Sequence, residues 1–283
     1  TSNFEVETLR PSGSLTFSVT QGTTYHGSPY DDTPGLKTGD NATLTVEFSE
    51  PVDSFSSANI TPHPYVILAE MIPNDNNTIW TGTFTPTVNT QLTTKQRLTL
   101  DTDYTDIVGN PAHHVIEMNS SYYVVDTRAP SVSSLQFTVG TTTLDSPFTD
   151  RCLPVTGNII VNFDYTDIET SYIDTSTTNT TCNGSIRVSS DNFSSPDNDG
   201  CVRMSSEPTA SNSNRTFTLI PNGNLLYDTT YNVRVTTRAK DVLGNSLSSQ
   251  YDDSSGFKTS SYPSSSPISG VFVGVGQYGK EVR

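Results

Sequence analysis

Hydrophobic and polar residues alternate along this chain in short runs. Leu15, Phe17 and Val19 fall on one side of an extended segment, with Thr16, Ser18 and Thr20 on the other. Leu44, Val46 and Phe48 repeat the pattern and end at Glu50-Pro51. Tyr65 to Ile72, Ile79 to Phe84, Leu98 to Leu100 and Tyr122 to Val125 are further short apolar runs, and the stretch from His26 to Gly39 reads as turn. A period of two puts every second side chain on one face of a strand, and no window carries the helical period of about 3.6. About seven short strands separated by turn residues predict an antiparallel β-sandwich.

The second half of the chain repeats the plan. Asp126-Thr127-Arg128-Ala129-Pro130 breaks the alternation, since proline cannot donate to a strand ladder. Val132, Leu135, Phe137 and Val139 then open a new strand. Ile159, Val161 and Phe163 mirror Leu44, Val46 and Phe48, while Phe217 and Leu219 mirror the stretch Trp80 to Phe84. Tyr231, Val233 and Val235 follow, and Gly256-Phe257-Lys258-Thr259 closes the unit. One phrase occurs twice: Asp106-Ile107-Val108-Gly109-Asn110 returns as Asp241-Val242-Leu243-Gly244-Asn245. A repeat at that spacing is the mark of tandem domains of one kind. The division expected is 1–13 as an N-terminal linker or edge strand, 14–127 and 128–260 as two sandwiches, and 261–283 as a linker and the start of a further β element. The short linker predicts two units end to end. The closing run to Arg283 reads as a cut through a longer chain.

Composition narrows the class. Only 32% of the 283 residues are hydrophobic, which suits thin sandwiches whose strands face water on one side, and the 13 Tyr and 12 Phe argue against disorder. A net charge of −15 opposes binding to nucleic acid or to an anionic membrane surface. No apolar run reaches the roughly 18 residues of a spanning helix, so no membrane insertion is expected within this chain. Three cysteines lie in the second half. Cys182 and Cys201 flank a loop rich in Asp, Asn and Ser that has little core of its own, so a disulfide between them is the favoured pairing; Cys152 bonded to one of them is the alternative. No Cys-x-x-Cys pair points to zinc.

Three stretches of the first half, Asn41 to Val52, the Trp80-containing TIWTGTFTPT and Tyr104 to Ala112, resemble bacterial immunoglobulin-like (Ig-like) repeats of large surface proteins and adhesins. In the second half, Ser185 to Phe193, Cys201 to Met204, Thr216 to Asn245 and Gly256 to Thr259 resemble another branch of bacterial Ig-like domain. The resemblance implies an all-β chain of two tandem Ig-like β-sandwiches, carried as a stalk or spacer on an extracellular or cell-surface protein. The tail Gly270 to Lys280 is similar to the opening strand of a β-propeller blade.

The first reading of Asp-x-x-Gly-Asn is a turn, in which Asp accepts backbone hydrogen bonds and Gly takes positive φ. In an Ig-like sandwich that turn lies at the N-terminal pole, so the second copy should face the junction between the units. Asp126 of the linker and the acidic loop Asp164 to Glu169 should converge on the same pole. Carboxylates brought together repel unless they are solvated or a cation bridges them. In the second case the cofactor is Ca²⁺, held by Asp126, Asp164, Asp167 and Asp241, with Glu50, Asp53 and Asp106 as the analogous set at the first unit's own N-terminal pole; no other cofactor is expected. Calcium sites between Ig-like repeats of giant adhesins agree with this.

Among the four histidines, His113-His114 are adjacent, and adjacent strand residues point to opposite faces. No nucleophile elbow and no glycosidase-type carboxylate pair appears, so no catalysis is expected. The function expected is a non-catalytic structural or adhesive module that displays a further domain. The alternatives are a host or environmental glycan or protein ligand taken by the 182–201 loop with Phe193, and an accessory role in a larger secreted enzyme.

Overall fold

The computed structural model describes residues 7–21, 23–25, 33–61, 65–91, 94–113, 118–148, 151–164, 167–178, 182–194 and 200–262. The propeller-like tail, His26, His63, His114 and positions 165–166 of the acidic loop lie outside these residues. Within them the chain is built of strands, with two single-turn 3₁₀ segments, Ser57–Asn59 and Thr170–Tyr172. No helix there is long and apolar enough to cross a membrane.

In the first unit, Asn41–Phe48 lies between Gly13–Gln21 and Ile79–Pro86, all antiparallel, and Val66–Leu68 and Ile72–Pro73 pair on the far side of Ile79–Pro86. The alternation read from the sequence is the cause: Ala42, Leu44, Val46 and Phe48 are buried, while the residues between them face outward. The opposing layer is made of shorter pieces. Thr99–Leu100 joins Met118–Asn119 and Ile60–Thr61, and Thr33–Leu36 joins Thr23–Tyr25 and Val124–Val125. Between the layers Phe17, Phe84 and Tyr123 form a ring cluster with centroids 4.9–5.1 Å apart.

The second unit repeats this arrangement. Asn158–Phe163 lies between Val132–Val139 and Thr216–Leu219, with Thr142–Asp145 and Thr209–Ser211 at the edges. The facing sheet runs Cys152–Leu153, Phe257–Thr259, Thr230–Val235, Ile186–Ser189. Each unit has its own closed cluster of buried side chains, so each carries its own hydrophobic core.

One stretch corrects the sequence reading. Thr33–Leu36, inside the stretch read as turn, is a strand that runs parallel to Val124–Val125. Cys152–Leu153 pairs parallel with Phe257–Thr259 at the same place in the second unit. Leu36 and Leu153 are fully buried, which explains why each segment docks.

Cys182 and Cys201 are joined, and Cys152 is free and exposed. The bridge closes a loop whose apolar content is small. We expect reduction to open it locally: proteolysis within 182–201 should accelerate at least tenfold while both cores keep their melting transitions. A collapse of the second unit on reduction would contradict this.

Candidate functional site: the junction between the units

The two Asp-x-x-Gly-Asn turns are superimposable in their bonding. Asp106 Oδ1 accepts from the backbone N–H of Val108 (2.9 Å) and Asn110 (2.8 Å), and Asn110 Nδ2 donates to Oδ2 (2.7 Å). Asp241 Oδ1 accepts from Leu243 (3.0 Å) and Asn245 (2.8 Å), and Asn245 Nδ2 donates to Oδ2 (2.8 Å). Gly109 and Gly244 close the turns at φ +97° and +90°, where a Cβ would be strained. The turn expected from the sequence is therefore present in both copies.

The second copy also faces the first unit, as the sandwich geometry implied. Asn245 Nδ2 donates its other hydrogen to the backbone carbonyl of Asp126 (2.8 Å), and Asn245 Oδ1 accepts from Thr38 N–H (3.1 Å). One side chain thus ties the turn of the second unit to the linker and to a loop of the first. Val124 and Leu243, each 2% exposed, pack on each other with Val242 beside them, separate from either core. The methylenes of Lys37 lie over Gly244, and Lys37 Nζ pairs with Asp40 at 2.6 Å.

The linker is fixed along its length. Asp126 N–H donates to Leu36 O (2.9 Å) and Thr127 N–H to Thr90 O (2.7 Å). Thr127 Oγ1 donates to Thr87 O (2.6 Å) and accepts from Thr90 N–H (2.9 Å), and Thr38 Oγ1 reaches Thr127 O (2.9 Å).

Both carboxylates are nearly closed to solvent, at 2% and 1% exposure, but their electrostatics differ, and only Asp241 lies beneath a second domain. At Asp106 burial raises the pKa, yet the hydrogen bonds from Asn110, Val108 and Gly109 outweigh it and hold the carboxyl below its ordinary value. At Asp241 the same bonds are made, but burial in the junction pushes the carboxyl up to about 6. Asp126 is pushed up to about 7, first by burial and then by the charge of Asp241, against the pull of Arg128 and Gln91. At the first unit's own pole Glu50 is raised by slight burial and by Asp106 and Glu7.

The structure divides the expected calcium ligands. Asp126 and Asp241 share the junction, both buried, and the charge of Asp241 bears on Asp126. Asp164 is held instead by Arg128 (2.8 Å) and Ser131 Oγ (2.8 Å), and Asp167 by Arg215 (3.3 Å). In the analogous set, Asp106 is engaged by its own turn, Asp53 donates its N–H to Thr105 O, and Glu50 stands near Asp106 and Glu7. Among the described residues no three carboxylate, histidine or cysteine side chains come together in a group that could hold a metal ion. Sequence reasoning had no means of placing Arg128 and Arg215 among the acids.

The second expected site, the disulfide loop, presents little to a ligand among the described residues. One face of the Phe193 ring is covered by the Arg234 guanidinium, 4.2 Å from the centroid, and Arg234 is itself paired with Asp252. Two cavities border the loop, one of 80 Å³ between Arg187, Asp191, Phe193 and the disulfide and one of 210 Å³ beside Ser190, Gly200 and Cys201. Small-molecule sites ordinarily need roughly 300 Å³ or more.

Comparison with known families agrees with this architecture. Residues 31–123 match the family model of a bacterial Ig-like domain, and residues 126–259 match a second, distinct model of the same description. The chain is a tandem of two bacterial Ig-like domains. The boundary between the two matches falls at the junction, where Ig-like domain 1 ends in Val124–Val125 and Ig-like domain 2 is entered through Asp126. A search of curated proteins finds no match to the chain. Bacterial Ig-like domains are structural or surface modules, and the junction is the feature here that speaks to how such a module works.

Proposed function

We propose that this chain is a non-catalytic spacer of a bacterial surface or secreted protein, whose two Ig-like domains hold their neighbours at a fixed distance and orientation. The observation that supports this most directly is Asn245, which bonds at once to Asp126 O of the linker and to Thr38 N–H of domain 1. A free hinge would leave those groups to water. Here the linker backbone is bonded into domain 1, and a small apolar contact, Val124 on Leu243, is shut off from solvent. The disulfide agrees with an oxidising, extracellular location.

The test is whether the domains move as one body. Residual dipolar couplings from both domains should fit a single alignment tensor in the native chain. Val124→Asp should split that tensor in two, because it places a carboxylate against Leu243 beside Asp126 and Asp241. Val124 belongs to neither core, so both domains should keep their own melting transitions. Independent tensors in the unmodified chain would defeat the spacer reading.

A further inference from the structure

The linker between the domains has a counterpart ahead of domain 1. Ser131 O accepts from Asp164 N–H (2.9 Å) as the strand pair Val132–Phe163 begins. Ser12 O accepts from Ser49 N–H (2.8 Å) as the strand pair Gly13–Phe48 begins. That register sets Glu7-Thr8-Leu9-Arg10-Pro11-Ser12 upon Asp126-Thr127-Arg128-Ala129-Pro130-Ser131, matching an acid, a threonine, a proline and a serine. The contact that ties the linker to the turn is repeated too. Asn110 Nδ2 donates to Glu7 O at 3.3 Å, as Asn245 Nδ2 donates to Asp126 O at 2.8 Å.

Domain 1 thus carries the same turn on its own N-terminal pole, bound to the same point of an equivalent segment. What differs is cover. Leu243 is 2% exposed beneath domain 1, whereas its counterpart Val108 and the neighbouring Ile107 are each 62% exposed. Two adjacent branched apolar side chains at a turn tip have no role in the core of domain 1. The pole is also acidic, with Glu7, Glu50, Asp53 and Asp106, and the burial and neighbouring charges that raise Glu50 show the groups acting on one another. At the existing junction Lys37 lays its stem over Gly244 while its ammonium is bound to Asp40 of its own domain.

We propose that the N-terminal pole of domain 1, formed by Ile107, Val108, Asn110 and Glu7, is a second docking surface of the same design. Its occupant is the C-terminal pole of another Ig-like domain, leading into Glu7 and presenting a long side-chain stem where Lys37 stands and a backbone N–H where Thr38 stands. The established junction supplies the template: the same turn, the same amide-to-carbonyl bond and the same four-residue step to proline. This inference rests on the spacer reading, and its test can fail while the native junction stays rigid.

The probe is domain 1 itself, whose core is closed. Residues 14–126 are inserted ahead of Thr8 in the full chain in place of residues 1–7, so that a second copy of Asp126 takes the position of Glu7. Amide hydrogen exchange over residues 107–110 of the original domain 1 should slow at least tenfold relative to the 283-residue chain. Val108→Asp in the extended chain should restore the faster exchange, and in the native chain it should leave the melting of domain 1 unchanged. Equal exchange in the two chains would overturn the proposal. So would unfolding of domain 1 by Val108→Asp in the native chain, because Val108 would then serve its own domain and not a neighbour.

Discussion

Replacing Asp241 by alanine should destabilise domain 2 by about 4 kcal/mol while leaving the unfolding of domain 1 in place. The carboxylate accepts from Leu243 N–H, Asn245 N–H and Asn245 Nδ2, and is 1% exposed. Alanine strands three donors in a site closed to water, and an unsatisfied buried donor costs about 1–3 kcal/mol. Loss of a buried charge offsets part of that cost, which sets the estimate toward the lower end of the sum. The junction should loosen as well, since Asn245 is aimed at Asp126 O by its bond to Asp241 Oδ2. Asp106→Ala breaks the matching set of bonds at a carboxylate only 2% exposed, so it should cost domain 1 up to as much, without loosening the junction. Urea unfolding followed by probes in each domain would show two transitions, of which Asp241→Ala moves only the second. A change below about 1 kcal/mol, or a larger effect at Asp106, would refute this account.

The junction should also make the protein more stable in mild acid than at neutral pH. Asp126 is pushed up to about 7 by burial and by Asp241, and Asp241 up to about 6 chiefly by burial. The unfolded chain releases these protons near the ordinary carboxylate pKa of about 4. Between that value and about 7 the folded state holds more protons than the unfolded one, so stability is full below the window and falls as pH rises through it. For Asp126 the interval corresponds to about 4 kcal/mol at most. Of the other charged groups nearby, Arg128 is bound to Asp164 and only partly offsets the rise at Asp126, and Lys37 is bound to Asp40.

Asp126→Asn keeps an acceptor for Arg128 N–H and removes the titrating group. It should raise the melting temperature at pH 8 and flatten the slope between pH 5 and 8. Stability that rises with pH across this range in the native chain would refute the assignment. A bridging Ca²⁺ would leave a different signature: at pH 8 a chelator would lower the melting temperature and added Ca²⁺ would raise it.

The sandwich was legible in the sequence wherever one strand crosses a whole sheet. Asn41–Phe48 and Asn158–Phe163 bury every second residue, and the hydrophobic effect writes that period directly into the chain. The facing layer was harder to read because its strands are only two to four residues long in several places. Thr33–Leu36 contains Pro34 and Gly35, ordinary turn residues, and its strand character depends on Val124–Val125 some ninety residues away. No local signal records such a pairing.

At the junction, the repeat located the turn and the fold gave its direction, so Asp126 and Asp241 were found together. The carboxylates carry the stronger sequence signal, whereas the contact across the junction is made by Asn245, which ends the second copy. Asparagine is unremarkable in a turn. What marked it was the conjunction of two repeats, Asp-x-x-Gly-Asn and an acid-Thr-x-x-Pro-Ser linker, each uninformative until the strand register aligns them.

The parallel pairing of each domain's last strand bears on how the molecule would carry a load. Val124–Val125 runs beside Thr33–Leu36, and Asp126 N–H bonds to Leu36 O; Phe257–Thr259 runs beside Cys152–Leu153, and Ser260 N–H bonds to Leu153 O. Tension applied along the chain pulls each final strand lengthwise past its neighbour. Strand hydrogen bonds lie across that direction, so they are strained together instead of parting one after another. Domains joined in this way would resist stretching as a set of clasps in shear.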